Sequence, residues 1–446
     1  MNAPWSTIPD LVDDAALRFG DREAIVDGDL RWTFAEYRDQ IHAASRALMA
    51  RGIEAGDRVA VWAPNVAEWA VAALGAHCAG AVLVPINTRF RGREAAELLD
   101  RTLARVLFTV TDFLDADYVA MLADVGGGTG LDEVVVLRGS VPDGCTSWAD
   151  FLEAGDTIDD GNRATRSAAV GGDDLCHLMF TSGTTGSPKG AMLRHSAICR
   201  AFLAWSEVIG LEAGDRYLVV NPFFHAFGLN SGILACLMKG VTLVPHPVFD
   251  VPAVMRRVGE EQITMLPGPP AIYQTILNHP DLDEFDLSSL RLAVTGAATI
   301  PVQMIHAMRD RLGFEKVVTG YGLTEASGIA TMCRHDDDPA LIAGTSGRAI
   351  DDVEVRVVTP DGAECPAGQP GEVVVRGYNV MVGYLDDPDQ TAEAIDSEGW
   401  LHTGDIGVMD ADGYLDITDR VKDMFINGGF NVYPAEVERL MLAHPE

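Results

Sequence analysis

Residues 181–190 read TSGTTGSPKG, and no other stretch constrains this chain so tightly. Thr181, Ser182, Thr184 and Thr185 bring hydroxyls, Gly183 and Gly186 bring bare backbone, and Lys189 brings one mobile cation. Glycine lets a backbone approach an anion closely, and successive amides in turn conformation form an anion-binding concavity. The mostly apolar run at 175–180 reads as a strand feeding this loop. A flexible Gly/Ser/Thr linker is the plain alternative, but linkers rarely follow a buried-type strand directly. The loop is not a Walker A sequence, which needs Gly-Lys-Ser/Thr at the opening of a helix. Here Pro188 precedes Lys189 and Gly190 follows it, which disfavours an ordinary P-loop kinase or ATPase.

The surrounding pattern is α/β. Strand-like runs at 58–63, 81–85 and 105–110 alternate with helical runs at 66–78 and 92–101, the mark of a parallel sheet with crossover helices. A glycine-rich stretch at 126–130 and a polar run at 156–166 read as surface connections. After the loop, strands are expected at 216–220, 241–244, 263–266, 290–295 and 316–319, with helices at 231–238, 271–277 and 303–312. Two similar α/β layers in one large N-terminal region follow from this. From Thr345 the character changes. The runs 353–358 and 372–376 are β-rich, with Asp361-Gly362 and Asp412-Gly413 as hairpin-type turns. A small β subdomain over 345–417 is expected, then a helix from Pro434 with Glu436 near its start.

Composition narrows the function classes. The chain has 446 residues, 48% of them hydrophobic and 22% charged, which implies a soluble globular protein of two or three domains. A net charge of −33 argues against a nucleic-acid partner, because phosphate contacts need an excess of Lys and Arg. Seven scattered cysteines without a CxxC pair suit a reducing cytosol and no metal cluster. The N-terminus lacks a signal-type apolar core. The most apolar stretch, 69–86, contains His77, Gly75, Gly80 and Pro85, and reads as a buried helix, a glycine turn and a strand rather than a membrane span.

Three further motifs stand downstream in a fixed order: Tyr321-Gly322-Leu323-Thr324-Glu325, then Gly404-Asp405, then Asp419-Arg420-Val421-Lys422-Asp423 followed by Gly428-Gly429. Together with the loop they resemble the acyl-adenylate-forming family of acyl-CoA synthetases, luciferases and peptide-synthetase adenylation domains. The resemblance covers nearly the whole chain. It implies an AMP-binding N-terminal domain over 1–420, and a hinge with the start of a small C-terminal domain over 421–446. Most of that small domain is expected to lie beyond Glu446, with the lysine the family uses during adenylation, so the chain alone is expected to be impaired.

The implied activity is an ATP-dependent acid–thiol ligase that forms acyl-AMP and pyrophosphate, then acyl-CoA, with Mg²⁺ and coenzyme A. By the resemblance, Thr181, Ser182, Gly183, Thr184, Thr185, Gly186 and Lys189 hold phosphates, and Thr324 contacts them too. Glu325 is the metal carboxylate, which suits Mg²⁺ held by one or two carboxylates plus phosphates. Tyr321 stacks on adenine, with Gly296, Ala297 and Ala298 on its other side and Gly322 and Leu323 in the same nucleotide-binding string. Asp405 takes the ribose diol and Arg420 reaches the nucleotide. Lys422 is the hinge, Gly428 and Gly429 shape the thiol channel, and His225, within NPFFHAFG, stands at the mouth of the acyl pocket.

For the acid, the strings NPFFHAFGLNSGILACL, LPGPPAIYQTILNHP, LAVTGAAT and YGLTEASGIATMCR are similar to actinobacterial ligases of steroid-ring propionates. Gly228, Ser231, Gly232, Gly268, Ala297 and Gly328 would leave room for a bulky apolar acid, although small residues also simply let helices pack. Fatty and aryl acids stay open, since apolar pockets discriminate weakly. Two alternatives stay open as well: adenylation followed by transfer to a carrier protein, and a nucleotide- or acyl-binding module without turnover. The expected partner is a small-molecule carboxylic acid, with no nucleic acid and no membrane span, in the cytoplasm. The oligomeric state, a homodimer included, is left open.

Overall fold

The structure is a computed structural model that describes residues 3–181, 188–296, 300–420, 425–427 and 430–432. Among these, eight strands form one sheet in the order Gly383–Tyr384, Lys189–Arg194, Leu175–Thr181, Val82–Pro85, Arg58–Trp62, Ala104–Val110, Glu133–Arg138 and Thr146–Ser147. Its centre is parallel. Arg58–Trp62 pairs in parallel with Val82–Pro85 on one side and Ala104–Val110 on the other. Leu175–Thr181 turns back antiparallel to Lys189–Arg194, so Thr181 faces Lys189 across the base of the loop.

A second layer repeats the plan. Arg216–Val219 runs parallel to Thr242–Pro245, and Leu292–Gly296 runs parallel to Lys316–Tyr321. The expected strand at 263–266 is reduced to single bridges. Met265 pairs with Tyr217 on one side and Leu292 on the other, which joins the two halves of this layer. A third, antiparallel sheet contains Val353–Val358, Pro370–Gly377, Leu401–Met409 and Leu415–Arg420 in spatial order. The helix expected from Pro434 lies outside the described residues.

Local chemistry accounts for the elements. Helix Phe34–Ala50 opens on a reciprocal capping box: Thr33 Oγ1 accepts from the Glu36 amide at 3.2 Å, and Glu36 Oε2 accepts from the Thr33 amide at 2.8 Å. Helix Ala67–Cys78 is buried on nearly every face, as its apolar composition requires, and strand Val82–Pro85 follows it. Among the described residues, no helix is long and apolar enough to cross a membrane.

Two further expectations fail here. The polar run at 156–166 is no mere connection, since Asp160–Ala168 is a helix with Asp159 at its N-cap. Arg163 and Ser167 are buried on it, and Ser167 Oγ donates to the Cys78 carbonyl at 2.8 Å, so two inward side chains hold a polar helix on the core. The helix expected at 231–238 begins earlier as a π-helical turn, Phe227–Leu234, before the α-helical Ala235–Lys239. Period alone cannot reveal this, because a π-turn only shifts the apolar face.

Candidate active site

Three of the expected site residues close parallel strands at their C-terminal ends: Thr181, Gly296 and Tyr321. Open α/β sheets bind ligands at that edge. Gly296 and Gly320 are register partners, and a Cβ on Gly296 would stand 2.9 Å from the Gly320 carbonyl oxygen. Small residues are therefore required where these two strands end.

The string 321–325 forms a tight turn. The amides of Ala326 and Gly328 both donate to the Leu323 carbonyl at 2.9 Å, and the Ser327 amide donates to the Thr324 carbonyl at 3.0 Å. A Cβ on Gly322 would stand 2.3 Å from the Gly328 carbonyl oxygen, and Gly328 has φ +97°, which favours glycine. This turn aims Glu325 at the phosphate loop. Thr181 Oγ1 donates to Glu325 Oε1 at 3.1 Å, and Tyr384 Oη donates to the same oxygen at 2.9 Å. Oε2 has no hydrogen-bond partner among the described residues. A carboxylate with one oxygen oriented by neutral hydroxyls fits a Mg²⁺ ion that keeps its remaining ligands from phosphates and water. Among the described residues, no group of three or more His, Cys, Asp or Glu is arranged to hold a metal by itself.

Beside that pair, Tyr321 Oη donates to Asp405 Oδ2 at 2.6 Å. Asp405 is buried, and its backbone amide donates to Thr403 Oγ1 at 3.1 Å. Arg420 is the cross-strand Cα partner of Asp405. Lys189, at the first position of its strand, donates to Gln390 Oε1 and stands 5.0 Å above the ring centroid of Tyr384.

His225 keeps an exposed ring, and its Nδ1 accepts from the Phe227 amide at 3.2 Å. Desolvation by the surrounding protein lowers its pKa. It makes no direct bond to the other expected site residues among those described. Its neighbour Ala226 packs near Gly328, three residues beyond Glu325. Ser182, Gly183, Thr184, Thr185, Gly186, Ala297, Ala298, Lys422, Gly428 and Gly429 lie outside the described residues.

Of the two readings of the small residues, room for the acid or close packing, contacts at three glycines fit packing, and Ala297 lies outside the described residues. A Cβ on Gly228 would stand 2.0 Å from the Pro222 carbonyl oxygen, one on Gly268 2.5 Å from Ile272 Cδ1, and one on Gly232 3.0 Å from Val219 Cγ1. Ser231 is buried, with its hydroxyl on the Phe227 carbonyl. At these positions the protein's own backbone and side chains lie close.

Several residues escaped the sequence reading. Tyr384 touches Lys189 of the loop and Glu325 of the turn, and Gln390 touches Lys189. Buried Asn379 braces the turn: its Nδ2 donates to the Ile329 carbonyl at 2.8 Å, and its own carbonyl accepts from Ser327 Oγ at 2.7 Å. Their segment is remote from every motif, and no local signal marks it.

The model of the AMP-binding enzyme family matches residues 12–385, which includes the loop, the 321–325 turn and Tyr384. The chain belongs to the AMP-binding enzyme family. It is 49% identical, over 98% of its own length and 83% of the relative's, to the 3-[(3aS,4S,7aS)-7a-methyl-1,5-dioxo-octahydro-1H-inden-4-yl]propanoyl:CoA ligase of Rhodococcus jostii. The ligase of the same description from Mycobacterium tuberculosis is 48% identical, over 98% of this chain and 83% of that one. Among solved structures, the anthranilate CoA ligase AuaEII in complex with anthranoyl-AMP superposes with a TM-score of 0.86 at 27% identity, covering 98% of this chain and 82% of that one. This AMP-binding enzyme is accordingly an acid–CoA ligase that uses ATP, Mg²⁺ and coenzyme A.

Proposed function

We propose that this ligase activates a bulky apolar acid of the steroid-ring propionate class. The acid's carboxylate oxygen attacks the α-phosphorus of ATP, a P–O bond forms, and the bond to pyrophosphate breaks. The thiol of coenzyme A then gives up its proton to solvent, its sulfur attacks the acyl carbon, and AMP leaves with the electron pair of the broken C–O bond. The acid already enters ionised at neutral pH, so alignment and charge neutralisation of two anions carry the barrier.

The observation that carries the reading is the Thr181–Glu325 hydrogen bond, which brings the stem of the phosphate loop to the carboxylate of the 321–325 turn. In this reading Thr181, Ser182, Gly183, Thr184, Thr185, Gly186 and Lys189 cradle the phosphates, with Thr324 beside them. Glu325 would hold Mg²⁺, which when bound spreads the phosphate charge. Tyr321 offers its ring to adenine opposite Gly296, Ala297 and Ala298, and Asp405 with Arg420 takes the ribose side. His225 borders the acyl entrance. Lys422 serves as hinge, and Gly428 and Gly429 serve the thiol channel, with residues 1–420 as the AMP-binding domain. The acid class rests on the two relatives of nearly half identity. Seven free cysteines accord with the cytoplasm.

The test is pyrophosphate release with ATP, Mg²⁺ and a panel of steroid-ring propionates, fatty acids and aryl acids, followed by transfer to coenzyme A or to a phosphopantetheinyl carrier protein. Release strongest with the ring propionates and transfer to coenzyme A are expected. Preference for a fatty or aryl acid would overturn the acid class, and transfer only to the carrier would overturn the acceptor.

A further inference from the structure

One side chain touches both charged groups of the phosphate site. Tyr384 Oη donates to Glu325 Oε1 at 2.9 Å, and Lys189 Nζ stands 5.0 Å over the centroid of the same ring. An aromatic ring attracts a cation at its face, while its phenolic hydroxyl can donate to an anion at its edge. The ring thus meets the ammonium at its face and the carboxylate at its hydroxyl.

The placement is firmly built. Strand Gly383–Tyr384 pairs antiparallel with strand Lys189–Arg194, and the Leu385 amide donates to the Gly190 carbonyl at 2.8 Å. The Tyr384 amide donates to Thr391 Oγ1 at 2.9 Å, and the Met381 amide donates to the Glu325 carbonyl at 2.8 Å. Lys189 is further held by a neutral acceptor, Gln390 Oε1, while Gln390 Nε2 donates to Glu393 Oε2 at 2.8 Å and so fixes which end of the amide meets the lysine.

A direct Lys189–Glu325 ion pair would cancel both charges that the site needs, the cation for phosphate and the anion for metal. We propose that Tyr384 is a positioning residue that holds Lys189 and Glu325 apart and orients Glu325, so that the arriving nucleotide and its metal meet two uncancelled charges. This rests on the assignment of Lys189 to phosphate and Glu325 to Mg²⁺ made above.

Calorimetric binding of a non-hydrolysable ATP analogue to the protein, with Mg²⁺ and with EDTA, reads the two groups separately. Tyr384→Phe keeps the ring and loses the hydroxyl. It is expected to cut the Mg²⁺-dependent gain in affinity about tenfold and to leave metal-free binding unchanged. Tyr384→Leu, which also removes the cation's platform, is expected to weaken metal-free binding as well. Glu325→Gln is the reference and is expected to remove most of the Mg²⁺ gain. Thermal melts check that each variant is folded, and the conservative Phe variant decides if Leu does not fold. If Glu325→Gln lowers the Mg²⁺ gain while Tyr384→Phe leaves it at the wild-type value, the positioning role is overturned and the site assignment stands. If Glu325→Gln leaves the gain intact, the assignment of Glu325 fails and takes the positioning role with it.

Discussion

The phenol of Tyr321 donates a 2.6 Å hydrogen bond to Oδ2 of Asp405, across 84 positions of sequence and between two different sheets. The bond joins the residue expected to stack on adenine to the residue expected to take the ribose. It also helps to satisfy a carboxylate that is buried to 2% exposure.

Tyr321→Phe separates the ring from its hydroxyl. The stacking face survives, so affinity for AMP should change little, while the buried carboxylate loses a donor and stability should fall by about 1–2 kcal/mol. Asp405→Ala should instead weaken AMP binding about tenfold or more. Urea midpoints and AMP titrations measure both. Unchanged stability in Tyr321→Phe, or unchanged AMP affinity in Asp405→Ala, would contradict the paired roles.

Glu325→Ala should lower metal-dependent turnover by ~100-fold or more if its charge stabilises the transferring phosphate through the metal. Pyrophosphate release across a Mg²⁺ series is the readout. A variant with wild-type rate and wild-type Mg²⁺ dependence would remove Glu325 from the chemistry.

Three buried histidines predict acid sensitivity. His77 lies 5.0 Å from His177 and 5.6 Å from His195 between ring centroids, and all three are essentially inaccessible. Both ring nitrogens of His177 lack a hydrogen-bond partner among the described residues. Burial, then neighbouring imidazole, lowers all three pKa values from the usual 6.5, that of His195 to about 3. The unfolded chain therefore binds more protons than the folded one below pH 6.5. Stability is complete above that value and is lost as pH falls from about 6.5 toward 3, at up to ~1.4 kcal/mol per pH unit for each histidine. Denaturation midpoints at pH 7.5 and 5.5 should show a fall that is shallower in His177→Leu than in the parent. Equal slopes in the two proteins would refute the idea.

Trp400 is predicted to serve folding rather than chemistry. It is buried with Val358 and Val374, and the guanidinium groups of Arg376 and Arg356 lie 4.4 and 4.6 Å from its ring centroid. Trp400→Ala should cost about 3–5 kcal/mol and leave nucleotide affinity intact in the folded fraction. Full stability with lost nucleotide binding would place Trp400 in the site instead.

The alternation of strands and helices was legible because apolar periodicity records which faces are buried. Strand Arg58–Trp62, helix Ala67–Cys78 and strand Val82–Pro85 fall within a residue of their expected bounds. The polar helix Asp160–Ala168 was not legible, because only Arg163 and Ser167 turn inward and neither looks apolar. The strand at 263–266 shrank to Met265 for a tertiary reason, its pairing with Tyr217 and Leu292 at a single position on each side.

The sequence by itself determined the chemistry on offer: a hydroxyl- and glycine-rich loop with Lys189, the carboxylates Glu325 and Asp405, and the ring of Tyr321. These are local signals, written in residue type and spacing. Only the tertiary structure decided which of them meet. Thr181 Oγ1 reaches Glu325 across 144 positions of sequence, and Tyr384 meets both Lys189 and Glu325 because a two-residue strand from far along the chain pairs beside the loop. Contacts of that kind depend on long-range strand pairing and core packing, which leave no periodic trace in the segments they join.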